Sequence, residues 1–582
     1  SRAATAVLAL LIAAGLCIRL YHLDDRSLTH PEFFVPRIDM PEWAAAPAER
    51  HTLVETVHGT LASDVHPPGY YILMWVWTAL AGTGLLALRL PSALAGTATL
   101  GLLYALGKRG YGTGAALLAT ALLALHGTHL FWSQLARMWV FIAMLAVWSV
   151  LLLASGGRWS ASRRATYLFV SATGLWTEYY YWPFFLAQMI WVLWRDARTR
   201  AASATLATQF LTLVLAAPVP LILALQTGRH NYLSRSVLPT LVETLGFGRL
   251  FDLPFLADRL GTAGIAAALA LAGAGAVLLL AGTGAGPGTG ASTITGAGTG
   301  TDTGCPLLRA QLAAAVGVNL LLVATLPLWG SAARVAAGCT LAWLPVATWW
   351  AACRSRAAWE AALARLAGGR SATLLLGDPV RFHALMPLLL LLGISIAIPV
   401  IADRGLLILT PFLLLTMSSG VMRVGRRRAV RGVIAGALLV LGGGSAYHYA
   451  NVPTSLRDYG ALARELTAAK RPDDLVAVEN RWWATPMIYY LPADRHQLAP
   501  LGRLRRQLEA AGPCGAHRPA RLWIVAFTTD RPVDGHFERA AHWLPEYRMT
   551  RKVTALEAGA ALFERDAGQC NLPAVRVAAG KD

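Results

Sequence analysis

Charge is scarce in this sequence. Only 14% of its 582 residues are Asp, Glu, Lys or Arg, against 55% hydrophobic residues, and the mean hydropathy is +0.49. A soluble enzyme of this length needs more polar surface than that, so a soluble class is excluded. Acidic residues are scarcer than basic ones, 32 against 51, which leaves a net charge of +19 and a pI near 10.2. That excess does not point to nucleic acid, because the arginines sit in short loops between apolar runs rather than along one exposed helix or sheet. A cleavage site is also missing. No small-x-small pattern precedes Tyr21-His22-Leu23, so the first apolar run, Ala3 to Leu20, reads as a retained helix and not a removed signal. A phosphate loop is missing too. The Gly-x-Gly repeats of the Gly/Thr/Ala/Ser-rich stretch 283–304 follow no strand and open no helix, so this stretch is read as a flexible cytoplasmic linker.

What is present is a series of apolar runs near 20 residues, the mark of a polytopic α-helical membrane protein. About thirteen spans satisfy the pattern: 3–20, 88–107, 113–131, 136–155, 164–178, 180–194, 203–226, 260–282, 308–328, 333–351, 380–400, 404–422 and 430–448. Lys108-Arg109, Arg158 with Arg163-Arg164, Arg195 to Arg200, Arg354 to Arg370 and Arg423 to Arg431 are then cytoplasmic by the positive-inside rule. Pro68 to Gly82, apolar and aromatic, is read as re-entrant or interfacial, since a full span there would reverse every later loop. Residues 1–452 form the membrane domain, with a cytoplasmic N-terminus. Residues 453–582 turn soluble and alternate helix-like with strand-like segments: helices at 455–470 and 501–511, strands at 474–479, 521–527 and 561–565. They are expected to form a small exoplasmic α/β domain in which Asp458, Asp473 and Asp474 serve helices and turns. The sequence holds six cysteines. Cys514 and Cys570, alone in the exoplasmic domain, are expected to pair, which stabilises by roughly 4 kcal/mol in the chain-entropy model. Cys17, Cys339 and Cys353, in or beside spans, are expected to stay reduced.

The polar stretch from His22 to Tyr71 interrupts the apolar first hundred residues and is the expected active-site loop. Ser27-Leu28-Thr29-His30-Pro31-Glu32 and Asp64-Val65-His66-Pro67-Pro68-Gly69-Tyr70-Tyr71 set two histidines and a carboxylate beside rigid proline turns. A plain connector rarely needs roughly 50 residues. Under the span assignment this loop, the turns Ser133 to Trp139 and Thr177 to Trp182, the loop Gln226 to Asp258, and Asp403-Arg404 all lie on the exoplasmic side, where they can converge on one cavity.

Several of these motifs resemble the GT-C-fold glycosyltransferases of the family 39 type, a group that includes protein O-mannosyltransferases and the lipid A aminoarabinose transferase. The resemblance rests on His66-Pro67-Pro68-Gly69-Tyr70-Tyr71, Arg89-Leu90-Pro91-Ser92-Ala93-Leu94, Ser133-Gln134-Leu135-Ala136-Arg137-Met138-Trp139, Thr177-Glu178-Tyr179-Tyr180 and Asp403-Arg404-Gly405-Leu406. It covers about residues 5–195 well and the rest loosely. It implies a GT-C-like fold of about thirteen transmembrane helices, and an enzyme of a bacterial inner membrane using a polyprenyl-phosphate sugar donor and a lipid, glycan or protein acceptor. It departs at one point. The family carries an acidic pair, Asp-Glu, in the first exoplasmic loop, and here Pro31-Glu32 stands at those positions.

The chemistry needs a base for the acceptor's proton and cations for the leaving phosphate. Glu32 is the expected base, assisted by His66, with Asp39, Asp64 or His30 the next candidates; an inactive relative is the competing reading. Arg137 and Arg404 are the expected phosphate ligands, as a guanidinium can grip phosphate oxygens in a bidentate way. Snorkelling at the interface and helix capping compete for these two arginines. Tyr70, Tyr71, Tyr179 and Tyr180 are expected to line the cavity, or else to belong to an interfacial aromatic belt. Glu32, His30 and His66 could hold a divalent cation, with His230 as an additional substrate contact or ligand. From other classes, a transporter or flippase would also use many spans, but no inverted repeat is evident. An oligosaccharide ligase or polymerase is an intermediate reading.

Overall fold

The computed structural model describes residues 2–24, 26–38, 52–155, 159–196, 200–226, 378–395, 404–424, 428–451, 458–479, 484–491, 498–510, 518–528, 532–555 and 557–566. From the N-terminus run α1 (Arg2–Leu20), α2 (Leu53–Ser63), α3 (Gly69–Ala81), α4 (Leu85–Ala124), α5 (Gly127–Ser133) and α6 (Trp139–Ala154). Next come α7 (Ala161–Thr177), α8 (Tyr181–Asp196), α9 (Arg200–Ala216), α10 (Pro218–Gln226), α11 (Pro379–Ser395), α12 (Thr410–Val424) and α13 (Arg428–Asn451). The soluble stretch carries α14 (Tyr459–Ala469), β1 (Leu475–Val478), α15 (Ala484–Tyr490), β2 (Leu498–Pro500), α16 (Leu501–Ala510), β3 (Arg521–Phe527), α17 (Val533–Trp543), β4 (Tyr547–Ala555) and β5 (Ala558–Arg565). Short 3-10 turns occupy His30–Phe34 and Gly405–Leu409.

Among the described residues four helices are long and apolar enough to cross a membrane: Arg2–Leu20, Leu85–Ala124, Arg404–Arg423 and Arg428–Tyr449. A fifth span is formed if the pair Ala204–Ala216 and Pro218–Gln226, bent by 44°, is taken as one. The bend follows from Pro218 and Pro220, which lack the amide hydrogens a continuous helix would need. The runs expected at 88–107 and 113–131 meet as one helix, interrupted at Gly112, whose φ of 84° only glycine adopts without strain. The 13 residues of α3 reach about 20 Å, short of a hydrocarbon core of about 30 Å. The segments expected at 260–282, 308–328 and 333–351, the linker 283–304, and Cys339, Cys353, Cys514 and Cys570 lie outside the described residues. Cys17 is an unpaired, exposed thiol on α1.

The chain divides into two compact units: Ser1–Tyr21 with Asp64–Tyr70 and Arg89–Asn451, and His22–Ser63 with Tyr71–Leu88 and Val452–Asp582. Residues 22–63 thus group with the C-terminal stretch, whereas the change of composition alone puts the boundary at 452.

The membrane unit is a helix bundle in which α6 packs on α7, α7 on α9, α8 on α11 and α12 on α11. Its interior is apolar with a few hydrogen-bonded hydroxyls and amides. The Tyr167 hydroxyl donates to Gln188 Oε1 at 2.6 Å, and Gln188 Nε2 to Ser149 Oγ at 2.6 Å.

The second unit is built on a five-stranded sheet in the order β2-β1-β3-β5-β4, parallel across its first three strands and antiparallel across the rest. β3, whose Leu522 to Phe527 are all buried, is its centre. β4 is an edge strand with Arg548, Arg551 and Lys552 exposed, which keeps the edge soluble and hides it from an apolar pattern. Asp458 caps α14, accepting from the Ala461 amide at 2.9 Å. Asp474, 2% exposed, accepts from Arg521 Nε at 2.7 Å, Trp523 Nε1 at 2.8 Å and the Arg471 amide at 2.9 Å. Burial alone would raise this carboxyl. The Arg521 guanidinium, the Arg471 amide and the Trp523 indole more than offset that and hold it below its ordinary value of 3.8. A group whose folded pKa is depressed stabilises fully above its unfolded pKa, and that stability is lost as pH falls through the folded value. Asp474→Asn is therefore expected to lower the stability of this unit by about 1.5–3 kcal/mol at neutral pH. Hydrogen exchange at the β1 and β3 amides measures it, and the difference from wild type should vanish at acidic pH below the depressed value.

The first loop is part of this unit. Ser27 Oγ donates to Asp458 Oδ1 at 2.5 Å and accepts from the Gly460 amide at 2.9 Å. The Leu28 amide donates to the Tyr490 hydroxyl at 2.7 Å. Phe33 sits edge-on to Tyr459 and Tyr489, at 6.0 and 5.8 Å. Farther along, Pro91 cannot donate to the Ala87 carbonyl, and Trp77 Nε1 supplies that hydrogen bond at 2.7 Å.

Candidate functional site

In the membrane unit the site grows from the turn between α2 and α3. Pro67 and Pro68 cannot continue a helix, and Gly69 lets the chain press on α7, where a Cβ would lie 2.5 Å from the Trp176 carbonyl oxygen. The turn presents His66, 7% exposed. Its Nδ1 lies 2.8 Å from Glu178 Oε2, and Arg137 NH2 lies 3.0 Å from its Nε2. A guanidinium can only donate, so Nε2 accepts and the neutral ring carries its proton on Nδ1, facing the carboxylate. The result is a buried line of charge: cation, imidazole, anion.

A second set of hydrogen bonds closes this line into a ring. Glu178 follows α7 directly, and its Oε1 accepts from the Tyr179 amide at 2.9 Å. The Tyr179 hydroxyl donates to Gln226 Oε1 at 2.7 Å, and Gln226 Nε2 donates to the His66 carbonyl at 3.2 Å. Burial, with Glu178 and Asp64 adding their negative charge, pushes the Tyr179 phenol well above its ordinary range and keeps it a donor. Asp64, buried in the same turn, accepts from the Val65 amide at 2.7 Å.

Trp139 stands at the centre of the aromatic side. The His66 ring meets it edge-on at 5.7 Å, Tyr180 at 6.0 Å, and the Arg404 guanidinium lies over it at 5.4 Å. Gly405 permits this arrangement, since a Cβ there would lie 2.2 Å from the Tyr180 ring. Arg404 thus stands over the same indole that His66, the partner of Arg137, meets edge-on. Trp139 and Gln226 were not singled out as site residues from the sequence. A polar Gln closing an apolar run is the signal that could have found the second.

The remaining expected residues stand elsewhere. Tyr70 is 1% exposed and packs on Phe141 at 5.7 Å, and Tyr71 is fully buried in the other unit. Glu32, also fully buried, belongs to the other unit, where Oε2 accepts from the Thr29 amide at 2.7 Å and from Thr29 Oγ1 at 3.1 Å. Those are bonds of a helix-capping carboxylate. Asp39, Asp403, His230 and the side chain of His30 lie outside the described residues. Among the described residues no three His, Cys, Asp or Glu side chains gather into a metal-sized group. His66 offers a cation little, because its accepting nitrogen already faces a guanidinium.

Residues 65–223 match the family model of dolichyl-phosphate-mannose-protein mannosyltransferases. That stretch contains His66, Arg137, Trp139 and Glu178. No curated protein sequence matches the chain. Among solved structures it is similar to ArnT from Cupriavidus metallidurans in the apo state, at 14% identity and a TM-score of 0.41, over 96% of this chain and 98% of that one. It is also similar to ArnT bound to undecaprenyl phosphate, at 13% identity and a TM-score of 0.39 with the same coverage. The Archaeoglobus fulgidus oligosaccharyltransferase in complex with Zn and sulfate aligns at 11% identity and a TM-score of 0.45, over 97% and 74% of the two chains. At such identities and scores the likeness assigns no residue of this chain a role. The resemblance to GT-C-fold glycosyltransferases of the family 39 type stands on the motifs and the family match.

Proposed function

We propose that this protein is a membrane glycosyltransferase that moves a sugar from a polyprenyl monophosphate carrier to a hydroxyl of a lipid, glycan or protein on the exoplasmic face of a bacterial inner membrane. The observation that carries the reading is the Arg137-His66-Glu178 line, inside the stretch that matches the mannosyltransferase model. In the reaction an acceptor oxygen attacks the anomeric carbon as the bond from that carbon to phosphate oxygen breaks. The departing carrier phosphate gains one negative charge. Arg137 and Arg404 stabilise that charge, and they do so best where water is scarce. His66 and Glu178 hold Arg137 in place and keep it charged. A carboxylate takes the acceptor's proton, and its place in the family motif makes Glu32 the first candidate to test, with Asp64, in the turn of His66, the next.

The donor is the testable part. Purified protein in lipid nanodiscs is expected to transfer sugar from a polyprenyl-phosphate sugar and not from a nucleotide sugar. Robust transfer from a nucleotide sugar without any lipid carrier overturns the proposal. Mass spectrometry of the lipid-linked sugars that accumulate in a deletion strain identifies the sugar, and separates this reading from a ligase working on diphosphate-linked donors.

A further inference from the structure

One buried charge in the membrane unit has no part in the chemistry above. Arg19, near the end of α1, is fully buried. Taking a guanidinium out of water costs several kcal/mol, and an apolar side chain of similar volume would fill the space more cheaply. None of its hydrogen-bond partners is a carboxylate. NH1 donates to the Gly15 carbonyl at 2.9 Å and reaches the Ala124 carbonyl at 3.5 Å. NH2 reaches the Leu123 carbonyl at 3.4 Å and His129 Nδ1 at 3.0 Å, and Nε donates to Ser133 Oγ at 3.2 Å. Ser133 Oγ donates its own proton to the His129 carbonyl at 2.6 Å, so it receives from Arg19 with a lone pair. Leu123 and Ala124 end α4, where carbonyls run out of helical partners, and a cation is favoured there. One side chain therefore joins the end of α1, the end of α4 and the last turn of α5.

The next residue returns the bond. Gln134 Nε2 lies 3.2, 3.4 and 2.9 Å from the carbonyl oxygens of Ile18, Arg19 and Tyr21, at and just past the end of α1. Side chains from α1 and from the end of α5 thus cap each other's neighbourhoods. Only Leu135 and Ala136 separate this lock from Arg137, and both are buried at 2% or less. The Arg137 amide donates to the Leu135 carbonyl at 2.8 Å, and its own carbonyl accepts from Ser92 Oγ at 3.3 Å. So short and enclosed a stretch leaves the Arg137 backbone little freedom once Ser133 and Gln134 are held.

We infer that Arg19 is a positioning residue. Through Ser133 and Gln134 it sets where the Arg137 guanidinium stands, and so how well the site grips the carrier phosphate. This rests on the reading of Arg137 as a phosphate ligand. The cost of burying Arg19 then has a use, because a fork of several N–H groups fixes helix ends in one register where an apolar contact would let them slide.

The test is a double-mutant cycle on the full chain in nanodiscs, reading affinity for a polyprenyl monophosphate and, separately, KM and kcat with a polyprenyl-phosphate sugar. Arg19→Met is expected to weaken affinity by about 2- to 30-fold, the range of coupling carried by such networks. KM should rise more than kcat falls. Arg19→Lys, with charge but no fork, should recover only part of the loss. In an Arg137→Ala background Arg19→Met should cost nothing further, since there is no guanidinium left to aim. Gln134→Met breaks the returning bonds while leaving Arg19, and should behave the same way if Arg19→Met fails to fold. Weak binding by Arg137→Ala beside normal binding by Arg19→Met and Gln134→Met overturns the positioning role alone, as do losses that add in the double variant. Wild-type affinity in Arg137→Ala overturns the reading of the site, and the inference with it.

Discussion

Glu32→Gln is expected to lose about 100- to 10,000-fold in sugar transfer, the range for removing a general base, while folding as wild type does and still binding a polyprenyl phosphate. The substitution separates the capping role that the structure shows from the proposed role of base. Oε2 accepts from the Thr29 amide and hydroxyl, and glutamine serves in such a capping box as well as glutamate does. The turn His30–Phe34 should therefore survive. What glutamine cannot do is take a proton. Single-turnover transfer, with carrier binding measured alongside, reads the two roles independently. Turnover above about a tenth of wild type, less than the smallest loss expected of a base, would show that Glu32 caps the turn and nothing more. Asp64→Asn would then be the variant to examine, because Asp64 shares the turn of His66.

Arg137→Ala is the second large effect. Truncating one partner of a buried, hydrogen-bonded charge pair costs about 2–5 kcal/mol, or roughly 30- to 5,000-fold. Here the loss should fall on carrier binding and on rate together, because the charge is needed both for the bound phosphodiester and for the developing dianion. Arg137→Lys should recover part of the binding and little of the rate, since an ammonium lacks the planar fork. Glu178→Gln should be milder. It leaves Arg137 in place but removes the anion facing His66 Nδ1, so the ring is no longer held to the tautomer that accepts from Arg137. Isothermal titration with a polyprenyl monophosphate, paired with initial rates, distinguishes these outcomes. An Arg137→Ala protein with wild-type affinity and rate would make this arginine a snorkelling residue of the interface.

Membrane character, the first helix from Arg2 to Leu20 and the soluble turn of composition after Val452 were all legible in the residues alone, because apolar runs and their interruptions are local properties. Arg137 and Arg404 were named from motif positions and guanidinium chemistry, and the fold sets the first against His66 and the second over Trp139. The strands 475–478 and 521–527 showed as β-branched and aromatic runs. The edge strand 547–555 did not, because only two of its residues, Tyr547 and Val553, are buried. The partner of His66 was not legible either. Glu32 was read as its companion from a motif position, whereas the carboxylate the fold brings to it is Glu178, 112 residues away in the chain and adjacent only because α7 ends beside the proline turn.

The sequence by itself determined that this chain lives in a membrane and which few charged residues stand against the cost of burial. Tertiary structure alone decided how those charges are shared out. Arg137 reached an imidazole, Arg404 an indole, Arg19 a set of helix ends, and Ser27 and Phe33 of the first loop found partners in Asp458, Tyr459 and Tyr489. The physical reason is range. Hydropathy and proline breaks act over a few residues and can be read in order, whereas a hydrogen bond between residues over 400 positions apart depends on packing that no local pattern encodes.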